Sequence, residues 1–357
     1  MLINKMRKSF IGLILIIILL CTSCDYSQDN ASLDTPVNIP SPTTESQQIV
    51  PDNQLSNNKE EDNKTPVISR ANSSDIQVIV TQDFGNELII NKKTALTGSE
   101  SAIDVLRRLT ELETAYGGGF VVGINGVKSE YPSEKKDWFF YINGMLSNRG
   151  GGSYTLNPGD VQRWDLRSWS SVGQVSATIA DFPEPFLHGY AGNISPTTII
   201  YADNFKTEAQ MLQTQMLASG INNVSLIEYQ YLSQEDKENN NLIIVGTVDL
   251  PLISELHSNY KRLGLTAYFE QNILTVLDSS GNKAREYKED AGIIQATQNP
   301  WNPRGVGACQ NVVWIISGID NDDVISAINL LSGDNIELDN AFGMIIVDGK
   351  PIKIPWQ

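Results

Sequence analysis

Short apolar runs separated by turn residues open the folded part of this chain. The stretches 76–80 and 87–90 are rich in Ile, Val and Leu and flank Asp83-Phe84-Gly85-Asn86, which predicts a hairpin. Apolar residues then recur at Ile103, Leu106, Leu109 and Leu112, with Val105 alongside, the spacing of one helical face. Ser101 and Asp104 fit a capping box at the helix start, and Gly117-Gly118-Gly119 is expected to end it. The run 120–124 reads as a strand turned by Asn125-Gly126. From Trp138 to Trp169 the pattern is strand, Asn143-Gly144 turn, glycine-rich loop, Pro158-Gly159-Asp160 turn, strand. Two strands, one helix and at least three more strands predict a small α+β unit over residues 75–170.

Residues 171–196 carry Pro183, Pro185, Gly189 and Gly192 and read as a linker. Strands then alternate with helices over 197–357. Strands are expected at 198–201, 225–229, 241–246, 266–278, 291–296 and 312–317. Helices are expected through Phe205, Ala209, Leu212 and Met216 up to Gly220, over 252–263, and through Val324, Ile325, Ile328 and Leu331. That alternation predicts a small α/β domain, a sheet covered by helices.

The N-terminus changes the picture of where the chain works. Lys5, Arg7 and Lys8 precede an apolar run from Phe10 to Leu20 and then Cys21-Thr22-Ser23-Cys24, the parts of an export signal over 1–23. The run falls short of the about 20 residues a membrane span needs. Ser23-Cys24 resembles the end of a bacterial lipobox, with Cys21 where leucine is usual. The resemblance implies acylation of Cys24 and a protein anchored on the extracytoplasmic face of a cell membrane. Residues 24–74, rich in Ser, Asn, Asp, Gln, Thr and Pro, are expected to form a disordered tether. With the signal removed and Cys24 acylated, Cys309 is the one remaining cysteine and no internal disulfide can form. The net charge of -16 disfavours nucleic acid and other polyanions as partners.

Ser101–Leu106, Gly123-Ile124-Asn125-Gly126, Trp138–Gly144, and Leu156-Asn157-Pro158-Gly159-Asp160 with Trp164 together resemble the transcobalamin-like C-terminal domain. The resemblance covers about residues 75–170. It implies a β-grasp-like fold for that part, hence an α+β chain in which a β-grasp-like domain precedes the α/β domain. In the vitamin carriers that share it, cobalamin lies between this domain and a helical barrel, and this chain shows no helical-repeat region. Cobalamin or a related corrinoid is the small ligand the resemblance implies, with no cofactor required.

Chemistry in the sequence points to binding. No metal-ligand spacing and no nucleophile beside a base stand out, which argues against an enzyme. His188 and His257 read as surface residues; His188 has the alternative of ligating cobalt from above. Gly305-Val306-Gly307-Ala308-Cys309 lacks the Lys-Ser/Thr ending of a phosphate loop, and Cys309 reads as a small buried residue. Asp160 reads as a turn residue, and Asp165 falls on the strand face opposite Trp164. Trp138, Phe140 and Trp164 read as core. Tyr141, Asn143, Arg149, Gly151 and Tyr154 surround the glycine loop 150–152 and offer aromatic faces, an amide and a guanidinium to a flat ligand with amide or carboxylate arms. The same residues also suit a packed turn. Trp301, between Pro300 and Pro303, is either a structural plug or a further ligand contact. Two functions follow: capture of a small ligand, or docking of another surface protein or wall polymer without one.

Overall fold

The computed structural model describes residues 74–130, 133–169, 175–332, 338 and 340–357. The expected signal peptide 1–23, Cys24 and the tether as far as residue 73 lie outside the described residues. The fold is α+β. Strands β1 (Asp75–Gln82) and β2 (Glu87–Ala95) form the expected hairpin and lead into helix α1 (Ala102–Leu109). Ser101 caps α1 as expected, its hydroxyl accepting from the Asp104 N–H while Asp104 reaches back to the Ser101 N–H. The helix stops before Leu112. Thr110 turns extended, its hydroxyl donates to the Leu106 carbonyl at 2.7 Å, and Leu112 enters a strand instead. That strand, β3 (Leu112–Ala115), pairs with β4 (Phe120–Ile124), so the three glycines expected to stop a helix form the tip of a hairpin. Then come β5 (Val127–Lys128), β6 (Lys136–Ile142), β7 (Met145–Leu146) and β8 (Val161–Ser168). Asn125-Gly126 and Asn143-Gly144 both take positive φ at both positions, the backbone of tight hairpin turns.

The first sheet runs β2-β1-β8-β6-β7, with β1 and β8 parallel. Strand register sorts its side chains cleanly. Ile76, Val78 and Val80 share one face with Trp164, Leu166, Trp138, Phe140 and Ile142, and α1 packs on it through Ala102, Ile103, Val105 and Leu106. The other face carries Gln77, Thr81, Arg163, Asp165, Arg167 and Tyr141. Polar alternation of this kind ordinarily faces water. Here Thr81, Arg163, Asp165 and Tyr141 are all fully buried.

What buries them is the segment expected to be a linker. Val175, Ala177, Ile179, Phe186 and Tyr190 are core residues, and the segment lies across the polar face of the sheet. Asp181 accepts from Arg163 Nε and Nη2 at 2.9 and 2.6 Å, with both side chains fully buried. Phe182 and Phe186 pack on Trp314 of the second half at 5.9 and 5.2 Å between ring centroids. The two halves share one continuous hydrophobic core, and Ile68–Gln357 is a single compact unit. The strap is pinned by its turns. Gly189 has φ of 66°, and an added Cβ would stand 1.9 Å from the Asn193 carbonyl oxygen. Gly189→Ala is expected to lower stability by more than about 2 kcal/mol, since left-handed backbone and a backbone clash add together. A urea midpoint equal to the parent's would show that the strap relaxes.

The second half begins with β9 (Thr197–Tyr201), α2 (Lys206–Ala218), β10 (Val224–Glu228), α3 (Gln234–Asn239) and β11 (Asn241–Thr247). The helix expected over 252–263 is broken at Asn259 into α4 (Pro251–Ser258) and α5 (Tyr260–Leu263). The single strand expected over 266–278 is a hairpin, β12 (Ala267–Glu270) and β13 (Ile273–Leu277), turned by Gln271-Asn272 at positive φ. β14 (Lys283–Tyr287), β15 (Ala291–Gln298), β16 (Val312–Gly318), α6 (Asn321–Ser332), β17 (Gly343–Val347) and β18 (Lys350–Ile354) complete the fold. The main sheet runs β10-β9-β11-β16-β15-β17-β18, parallel in its first four strands and antiparallel in the rest. Its β16 is buried on both faces. α2 and α6 pack on one side; α4 and the small sheet β12-β13-β14 pack on the other.

Candidate functional site

Two loops singled out by their composition meet in space. The loop after β7 carries Asn148 and Arg149; the loop between β15 and β16 carries Asn302, Arg304 and Gln310. With Tyr190 and Ser195 of the strap they line a cleft of about 500 Å³. Buried Gln298 holds the walls together. Its carbonyl oxygen accepts from the Gly307 and Cys309 N–H groups at 3.0 and 2.9 Å, and its amide donates to the Leu146 carbonyl at 3.0 Å. Asn148 donates to the Gly307 carbonyl at 3.2 Å and accepts from the Tyr190 hydroxyl at 3.0 Å. Asn302 bonds Gln310 and Asn311, both at 2.9 Å, and accepts from the Arg304 N–H at 2.9 Å.

The cleft's electrostatics oppose those of the chain. Arg149 and Arg304 are exposed, and among the described residues neither guanidinium has a carboxylate partner. In a chain of net charge -16, two uncompensated guanidiniums in one cleft mark a place for carboxylate, phosphate or amide oxygen. Burial pushes the Tyr190 hydroxyl up to about 12, so it stays protonated and donates. Burial likewise raises the Cys309 thiol, which accepts a contact from Gln298 Nε2 and stays uncharged. A protonated thiol without a base is a poor nucleophile.

Of the residues expected to receive a ligand, only Arg149 reaches this cleft. Tyr141, Asn143, Gly151 and Tyr154 are buried inside the protein. Asn143 donates to Asp160 at 2.9 Å and to the Gly189 carbonyl at 2.7 Å, and accepts from the Val161 N–H at 2.7 Å. Tyr154 donates to Asp160 at 3.3 Å and accepts from the Ala191 N–H at 2.9 Å. These groups clamp the strap onto the sheet. Asp160 is thus a fully buried hub and more than a turn residue. Tyr141 donates to the Val175 carbonyl and accepts from Arg167, both at 2.6 Å. The Arg167 guanidinium lies over the rings of Phe139, Phe84, Phe342 and Tyr141 at 4.2 to 5.6 Å. Gly151 is needed for packing, because an added Cβ would stand 2.8 Å from the Trp164 ring.

Trp301 lies elsewhere. Its indole donates to Glu255 at 2.7 Å and the Lys237 ammonium sits 4.2 Å over its ring, so it plugs the loop against α3 and α4. Arg304, three residues on, is the member of that loop in the cleft. His257, expected at the surface, is buried against Phe269. His188 pairs with buried Glu184 and packs over Gly159 at the rim of a second groove of about 780 Å³, walled by Ile76, Val161, Phe182 and Leu187. Among the described residues no cluster of three or more His, Cys, Asp or Glu side chains could hold a metal ion. Nor is any helix long and apolar enough to cross a membrane among them.

Residues 99–168 match the family "domain of unknown function DUF4430". No curated protein matches the chain. Among solved structures, a candidate metal-binding protein from Ruminococcus gnavus ATCC 29149 is 18% identical over 27% of this chain and 97% of its own length, with a TM-score of 0.23. Haptocorrin in complex with Cbi is also 18% identical, over 26% of each chain, with a TM-score of 0.22.

Proposed function

We propose that this chain is an extracytoplasmic, lipid-anchored binding protein that takes a small molecule with carboxylate or amide arms into the Arg149–Arg304 cleft. One observation carries the reading: two loops from different halves converge there, each bringing amide side chains on a fixed backbone and a guanidinium with no carboxylate partner among the described residues. Such a cleft fixes polar arms and leaves the body of the guest at its mouth. A corrinoid, with its rim of amide arms, is the finer candidate. The chemistry required is recognition, without a reacting group. An anchor at Cys24 would hold the cleft outside the membrane.

Titration with cobinamide and cobalamin, followed by visible absorbance and tryptophan fluorescence, tests this. Saturable binding is expected, weakened about tenfold to a hundredfold by Arg149→Ala with Arg304→Ala, because each removes a charge-assisted hydrogen bond. Binding unchanged in that variant would move the site away from the cleft. A flat response to millimolar corrinoid would remove that ligand and leave the reading as a docking module for a surface protein or wall polymer.

A further inference from the structure

The hairpin β3–β4 ends in a feature that folding alone does not explain. Tyr116 is 91% exposed and Phe120 42% exposed, and their rings meet edge to face at 6.1 Å and 77°. Tyr116 also holds φ at 51°, a left-handed backbone that non-glycine residues disfavour. Neither cost is offset by burial against the core. Strain and exposed rings together mark a place where something else is to be met.

The ground beside the rings is bare. Added Cβ atoms at Gly117, Gly118 and Gly119 would meet nothing within 4 Å. The backbone of Gly119 lies against the glycine loop, its carbonyl oxygen 3.8 Å from where a Gly150 Cβ would stand. The result is two exposed rings beside a stretch of backbone, Gly117–Gly119, that carries no side chains of its own.

We propose that Tyr116 and Phe120 form a binding platform for a neutral polysaccharide, distinct from the Arg149–Arg304 cleft. Sugar rings present flat C–H faces that lie on aromatic rings, and hydroxyls that bond peptide groups and the tyrosine O–H at the same time. Charge narrows the class. Within the hairpin, residues 112–124, the one charged side chain is Glu113, and it pairs with Lys128 at 2.9 Å, so an uncharged glycan fits. Size narrows it too: two rings fall far below the roughly 800 Å² per partner of a stable protein interface, and suit two or three sugar units.

Native gels cast with soluble β-glucan, galactomannan or pullulan test this, using the full chain carrying Cys24→Ala so that no acyl group contributes. Retardation is expected in at least one gel. Tyr116→Ala with Phe120→Ala should weaken it at least about tenfold, while Leu88→Ala, another exposed apolar site, leaves it unchanged. Both rings are at the surface, so an unshifted thermal midpoint in the double variant shows an intact fold. Equal migration in every gel overturns the proposal, as does retention that survives loss of both rings. Ring-dependent sedimentation with phosphatidylcholine vesicles, without retardation in the gels, overturns it in favour of a lipid surface.

Discussion

Asp181→Ala is expected to remove about 3–5 kcal/mol of stability, the usual result of stranding one partner of a buried ion pair. Arg163 and Asp181 are both fully buried, and the carboxylate takes Arg163 Nε and Nη2 while also accepting from the Gly144 N–H at 3.1 Å. Arg163 Nη1 already lacks an acceptor, and Asp165 on the same face is already held by the Thr81 hydroxyl and the Phe84 and Gly85 N–H groups. The guanidinium's one other bond among the described residues, to Asn340 at 3.1 Å, supplies no charge. Coulomb attraction inside the protein is not what the pair adds over an apolar pair of the same shape; desolvation nearly cancels it. Hence the double variant Arg163→Met with Asp181→Leu should recover most of the loss. Urea unfolding reads both, as shifts of midpoint at constant slope. An Asp181→Ala protein within 1 kcal/mol of the parent would falsify the account, as water would then be reaching the guanidinium.

Acid is expected to act through His257. Burial holds its imidazole at about 3, well below the ordinary histidine value, because the charged form would be cut off from bulk solvent. Nδ1 accepts from the Phe269 N–H at 3.3 Å, and Nε2 lies 3.3 Å from the Gln295 amide. The folded pKa is depressed, so the unfolded chain binds the extra proton first. Stability from this group is complete above the unfolded value near 6.5 and falls away as pH drops from there toward 3. The full loss is on the order of 5 kcal/mol. Asp160, Asp165 and Glu184 are raised by burial and act with the opposite sign, gaining relative stability as pH falls. The comparison of parent with His257→Asn isolates the histidine, since asparagine keeps an acceptor for the Phe269 N–H. Denaturant midpoints measured from pH 7 to pH 4 should converge or cross. Parallel curves would mean that the ring takes its proton without unfolding.

The strands of the first half were legible because a period of two is hard to mistake: Ile76, Val78 and Val80, and the ring pair Phe140 and Trp164, do lie on one face. The Asn-Gly turns and the Ser101 cap were legible for the same reason, each needing a particular residue at one position. Alternation does not say what covers the other face. Asp165 reads as facing away from Trp164 and Tyr141 as a candidate ligand contact, and the strap and second half put both, with Arg163, in the dark. Tyr141, Asn143 and Tyr154 were noticed for the right chemistry, aromatic and amide groups gathered on a short stretch. Their hydrogen bonds proved to be internal, and nothing local distinguishes a ring facing its own strap from one facing a guest. Helix spacing misled at Leu112, where one residue in register with Leu109 belongs to a strand. Arg304 was missed although its loop was singled out; the bulk of Trp301 drew attention from the smaller signal of a lone arginine among glycines and prolines.

The shared core has a kinetic corollary for the cleft at the junction of the two halves. Lobes joined by a hinge can swing apart to admit a guest and close over it, at the expense of a slow step and a change of shape. Here Phe182 and Phe186 are locked onto Trp314, and any swing would tear that packing open. Entry is therefore expected to follow simple diffusion, with one exponential whose rate rises in proportion to concentration. On the proposed reading, the cleft selects by a mould already cast.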